Sequence, residues 1–172
     1  MAVVTDAAAG LAAATRGATV LQVRDPGATI RHLEAEASRL VGASPLPVLV
    51  NSRVDVALAS GAAGVHLPED DLPLAAARAL LGDRRLLGRS VHSAEAARRA
   101  AQAGADYLLF GPVFPTASHP GRPATGLAAL REVAAAVEIP VLAIGGVDAE
   151  RARACQEAGA AGFAAIGYFK EK

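Results

Sequence analysis

Pro47–Leu67 (PVLVNSRVDVALASGAAGVHL) is echoed about half the chain later by Pro140–Ile166 (PVLAIGGVDAERARACQEAGAAGFAAI). In each copy a proline opens a short apolar run, an Ala-rich stretch of helical period follows, and Gly-Ala-Ala leads into a second apolar run. That is a strand–helix–strand unit, repeated. Its strands are apolar almost throughout rather than alternating, as parallel strands covered on both faces are. The Gly-Ala signal recurs at Gly17, Gly61, Gly104 and Gly159, where a glycine in the left-handed conformation would end each helix. Those four glycines precede every second strand.

Extended along the chain, the pattern predicts strands at Val3–Thr5, Thr19–Arg24, Val48–Asn51, Gly64–Leu67, Leu86–Val91, Tyr107–Val113, Val141–Gly145 and Phe163–Tyr168. Helices are predicted at Ile30–Val41, Asp55–Ser60, Leu74–Leu81, Ala94–Ala103, Leu127–Val137 and Ala149–Ala158. Eight strands alternating with helices, and no glycine-rich turn after the first, point to an α/β fold of the (β/α)8 TIM-barrel type rather than a doubly wound sheet. The expected organisation is one domain over residues 1–172, a short barrel whose eighth helix is truncated because six residues follow Ile166. The uncovered flank predicts a homodimer.

Composition narrows the function. Hydrophobic residues make up 52% of the chain, and 17 basic residues balance 17 acidic ones. This excludes a disordered segment and argues against a nucleic-acid partner. No apolar run reaches the roughly 20 residues of a membrane span, and Met1–Asp6 carries no basic leader, so a cytoplasmic protein with no membrane partner is expected. The single Cys155 reads as a packed structural thiol. The only lysines are Lys170 and Lys172, which disfavours Schiff-base chemistry in a pocket.

In such a barrel the chemistry sits where strands end. The strand ends here supply Gln22 and Arg24, Asn51, His66 followed by Glu69-Asp-Asp71, Ser90 and His92. The long loop after strand six adds Thr116, Ser118 and His119. Gly145, Gly146 and Gly167 lie after strands seven and eight, where bare amides hold phosphate; Gly-Gly also makes an ordinary tight turn. Asp71 is a hard oxygen ligand for Mg²⁺ or, like Asp70, a helix cap. His92 and His119 are the candidate proton carriers, His66 is a core residue or a pocket wall, and His32 is solvated.

Leu21-Gln-Val-Arg24, Gly64-Val-His-Leu67 with Asp71-Leu-Pro73, Gly88-Arg-Ser-Val-His92, Gly111-Pro-Val-Phe-Pro-Thr116 and Ala143-Ile-Gly-Gly146 resemble the thiamin phosphate synthase and TenI family over nearly the whole chain. The resemblance implies two activities. A synthase joins hydroxymethylpyrimidine diphosphate to thiazole phosphate, with Gln22, Arg24 and Asn51 facing the pyrimidine diphosphate, Asp71 on Mg²⁺ and Ser90 on diphosphate. A TenI-type thiazole tautomerase moves a proton on a thiazole carboxylate phosphate held by Thr116, Ser118, Gly145 and Gly146. The synthase pattern Asn-Asp-Arg reads Asn51-Ser52-Arg53 here, and Thr-x-x-Lys reads Thr116-Ala-Ser-His119. Losing a metal ligand and a cation weakens the step in which diphosphate leaves. The reading is therefore a tautomerase with His119 or His92 as shuttle, needing no cofactor. The alternative is a synthase with Mg²⁺, and a non-catalytic thiazole or thiamin phosphate-binding regulator is the second alternative. In all three the partner is a small-molecule thiazole phosphate.

Overall fold

A computed structural model describes residues 1–116, 121 and 123–169. Its strands are β1 (Ala2–Val4), β2 (Leu21–Val23), β3 (Val48–Asn51), β4 (Gly64–Leu67), β5 (Leu86–Val91), β6 (Tyr107–Phe110), β7 (Val141–Ile144) and β8 (Gly162–Ala164). All pair in parallel with their sequence neighbours, in the order β1 to β8. The ring closes at the single bridge Ala2–Ala165, where the Val3 amide donates to the Ala165 carbonyl and the Ala165 amide to the Met1 carbonyl. The fold is a (β/α)8 barrel.

Between the strands run α1 (Ala7–Thr15), α2 (Ile30–Ala43), α3 (Val54–Ala59), α4 (Leu74–Leu81), α5 (Ala94–Gln102), α6 (Gly126–Ala135) and α7 (Ala149–Glu157). Among the described residues no helix follows β8, and none is long and apolar enough to cross a membrane. Asp6, Thr29, Ser93 and Asp148 cap α1, α2, α5 and α7 by accepting from amides of the first turn, a contact worth about 1 kcal/mol each. The repeated glycines end helices as expected, with φ of 85° at Gly17, 69° at Gly61, 89° at Gly104 and 96° at Gly159.

Strand alternation splits the core in two. Val48 and Val50 face the helices with Leu21, Val23, Val65 and Leu67, whereas Val3, Leu49, Tyr107, Leu109 and Ala164 fill the barrel interior. The interior apolar plug occupies the lower layers; the layers above it are polar, and the site is built there.

The differences from the sequence reading have local causes. Helix α1 was not anticipated, because AAAGLAAAT has no polar face to give a period. Strand β6 stops at Phe110 rather than Val113, since Pro112 has no amide to donate. Asp70 and Asp71 do not cap α4: its N-cap is Pro73, with no side-chain cap bond. Cys155 is buried and free, and His32 is exposed.

Candidate active site

The strand ends open on one cavity of about 880 Å³. Gln22, Arg24, Asn51, His66, Ser90, His92, Thr116, Gly145, Gly146 and Gly167 all line it, so the barrel brings together ten of the thirteen expected site residues. Ser118 and His119 lie outside the described residues. Asp71 lies off the cavity wall, and Glu69 lines the cavity instead.

On the β2–β5 side the polar groups are side chains. Gln22 is 1% exposed; its Nε2 donates to Asn51 Oδ1 at 3.0 Å, and Asn51 Nδ2 donates to Ser52 Oγ at 2.9 Å. Gln22 Oε1 is a buried acceptor with no hydrogen-bond partner among the described residues. An orphaned acceptor of this kind costs about 1–3 kcal/mol, which a ligand N–H would recover. His66 is buried between Tyr107 Oη, 3.0 Å from Nδ1, and Ser90 Oγ, 2.8 Å from Nε2. Burial, with help from the Arg89 and Arg24 charges, pushes its imidazolium down to about 3, so the ring is neutral at working pH. Near the rim, Glu69 accepts from His92 Nδ1, both side chains partly exposed.

On the β6–β8 side the polar groups are main chain. Gly145 and Gly146 take φ of 96° and 63°. Space requires them as much as conformation does. A Cβ on Gly145 would sit 2.6 Å from Pro112 Cβ, and one on Gly146 would sit 2.4 Å from the Pro115 carbonyl oxygen. Among the described residues, no backbone carbonyl accepts from the amides of Gly145, Gly146 or Gly167. Amides of cavity-lining residues without an internal acceptor suit an anion.

Two residues that the sequence reading did not single out complete the site. Arg89 is 6% exposed and does not line the cavity. Its guanidinium donates to the carbonyls of Pro68, Glu69 and Leu72 and so holds the loop that carries Glu69 from behind. Tyr107 is the other; burial pushes its phenol up, so it stays protonated. A polar residue within an apolar strand was the available signal for Arg89. For Tyr107 it was Gly88, one strand earlier.

The described residues do not fit a resident Mg²⁺. Asp71 Oδ1 is taken by the Leu72 amide at 2.7 Å, Ser52 offers a hydroxyl rather than a carboxylate, and Glu69 is engaged by His92. No group of three or more acidic, histidine or cysteine side chains among the described residues is arranged to hold a metal. Asp71 as a metal ligand is thus not supported by its placement.

The model of the family described as thiamine monophosphate synthase (TMP-TENI) matches residues 2–169. The thiamine-phosphate synthase of Chloroflexus aurantiacus is 44% identical over 159 residues, covering 90% of this chain and 73% of the relative. That of Desulfitobacterium hafniense strain Y51 is 42% identical over 154 residues, covering 87% and 74%. Among solved structures, the thiamine phosphate pyrophosphorylase from Pyrococcus furiosus superposes with a TM-score of 0.85 at 36% identity, covering 96% of this chain and 84% of that one. FabK from Thermotoga maritima, at 20% identity and a TM-score of 0.78, shares the fold alone.

Proposed function

Because this chain belongs to the thiamine monophosphate synthase (TMP-TENI) family, we propose that it joins hydroxymethylpyrimidine diphosphate to a thiazole phosphate and releases pyrophosphate. This reverses the order in which the sequence alone ranked the two activities. The observation that carries the reading is Gln22 Oε1, a buried acceptor that has no partner among the described residues and belongs to a side chain lining the cavity. A tautomerase binds one phosphate ester and leaves that acceptor unanswered. An aminopyrimidine brings the N–H it lacks.

In the proposed reaction the bond between the pyrimidine methylene carbon and the diphosphate oxygen breaks, the electron pair leaving with the oxygen. The thiazole nitrogen then supplies its lone pair to the methylene carbon. Gln22 and Asn51 orient the pyrimidine. Arg24 and Ser90 meet the charge growing on the leaving diphosphate, where fixed donors contribute most. The amides of Gly145, Gly146 and Gly167, with Thr116, hold the thiazole phosphate so that its nitrogen approaches in line. Magnesium is assigned no step, since the donor set does not fit it.

The test is turnover of purified protein with both substrates and Mg²⁺, measuring thiamin phosphate and pyrophosphate. Equal formation of both supports the reading, and no product over buffer overturns it. The tautomerase is kept as a second reading because Glu69 and His92 form a carboxylate–imidazole pair on the rim, an arrangement that can carry a proton. Acceleration of thiazole carboxylate phosphate aromatisation, abolished in His92→Ala, would support it. We also propose that residues 1–172 fold as one domain and assemble as a homodimer, which light scattering tests.

A further inference from the structure

His66, Gly88 and Tyr107 are successive partners across β4, β5 and β6. They form one row of register partners across the three strands, and Gly88 leaves its middle open. A Cβ at Gly88 would lie 2.1 Å from Tyr107 Cζ and 2.4 Å from its hydroxyl. The phenol therefore crosses the strand that separates it from His66 and meets Nδ1 at 3.0 Å. On the far side of the imidazole, Nε2 meets Ser90 Oγ at 2.8 Å, on the cavity wall.

We propose that Tyr107 and His66 are positioning residues that fix the hydrogen-bond polarity of Ser90, so that its hydroxyl proton is offered to a phosphate oxygen in the cavity. The inference rests on the proposed function only for the identity of that oxygen, the leaving diphosphate.

A phenol hydroxyl has one proton to give, and among the described residues Tyr107 Oη has one partner, His66 Nδ1. Burying that O–H without an acceptor costs more than the hydrogen bond returns, so Tyr107 donates and Nδ1 accepts. A neutral imidazole carries one proton, which then resides on Nε2. Nε2–H donates to Ser90 Oγ, and the Ser90 proton is left to point elsewhere. The reverse tautomer would have Ser90 donate to Nε2, leaving a cavity-facing oxygen that repels anions. Burial keeps His66 neutral and Tyr107 protonated, so the relay keeps its direction across the working pH range.

Two measurements test this on the full chain. Nitrogen NMR of ¹⁵N-histidine protein should show His66, identified by the signal lost in His66→Gln, with a protonated Nε2 and a bare Nδ1; a protonated Nδ1 overturns the proposal. Calorimetry with inorganic pyrophosphate needs no His66 variant. Tyr107→Phe, which keeps the ring over Gly88, and Ser90→Ala should each weaken binding by about threefold to tenfold. The double variant should be no weaker than Ser90→Ala alone. Unchanged binding in Tyr107→Phe, or losses that multiply in the double variant, overturn the proposal. Absent turnover with the expected tautomer and coupled binding would remove the proposed function and leave this relay standing.

Discussion

On the β2–β5 side of the cavity the polar groups are the side chains of Gln22, Asn51, His66 and Ser90, each steadied by another side chain. On the β6–β8 side they are backbone amides, and of the glycines that carry them Gly145 and Gly146 fit no Cβ. The first half is tunable, because one substitution changes what it recognises while the strands stay as they are. The second is all or none at Gly145 and Gly146, because a side chain at either displaces the loop itself. Ser52 falls in the first half and Gly145-Gly146 in the second.

The most damaging single change should be Gly146→Ala. Its φ of 63° and the 2.4 Å approach of the Pro115 oxygen combine backbone strain with overpacking, about 2–5 kcal/mol together. Thermal melts should drop by roughly 5–20 °C, and thiazole phosphate binding should be lost. A variant that melts normally and still binds would show that this half is as tunable as the other.

Next, Gln22→Met should remove recognition of the pyrimidine while leaving the glycine half intact. Loss of a hydrogen bond from a buried partner predicts about a 5- to 150-fold rise in KM for the pyrimidine diphosphate, with KM for thiazole phosphate unchanged. Equal rises in both would mean that the two halves do not divide the substrates.

How far these halves were legible beforehand follows from what each is made of. Gly145-Gly146 and Gly167 could be placed because their chain positions, after the last two strands, fix their spatial position in a barrel. Gln22, Asn51, His66 and Ser90 could be placed because a polar residue near the end of an apolar parallel strand has few places to go. Asp71 could not: beyond Leu67 the strand period ends, and the turn held by Arg89 puts Glu69 on the cavity and Asp71 behind it. Tyr107 was hidden for the opposite reason. A tyrosine opening an apolar strand looks like core, and only its pairing with Gly88 shows where its hydroxyl goes.

The side-chain half should also carry a pH signature that the glycine half lacks. Folded His66 stays neutral down to about 3, while the unfolded ring titrates near 6.5. Between those values the unfolded chain binds more protons at this residue, so the His66 contribution to stability is complete above about pH 6.5 and falls as the pH is lowered. The slope from this residue is at most about 1.4 kcal/mol per pH unit. Asp6 and Asp55, held below the usual carboxylate range by hydrogen bonds from the Ala9 amide and the Arg53 guanidinium respectively, add to the loss only at lower pH. Urea denaturation from pH 6.5 to 4.5 should therefore report His66, and a His66→Gln profile as steep as the parent's would remove this account.

The mildest change, Ser52→Asp, asks whether the tunable half can be moved towards metal binding. Ser52 already holds φ of 63°, a left-handed conformation that aspartate tolerates better than most residues, so the backbone should accept the change at less than about 1 kcal/mol. The new carboxylate would follow Asn51, on the strand next to the one that precedes Glu69 and Asp71, adding a hard oxygen donor of the kind Mg²⁺ prefers. Synthase turnover should then rise, and rise more steeply with Mg²⁺ than in the parent, while KM for thiazole phosphate stays put. Unchanged turnover and Mg²⁺ dependence would show that the departure at Ser52 is not what limits the diphosphate side.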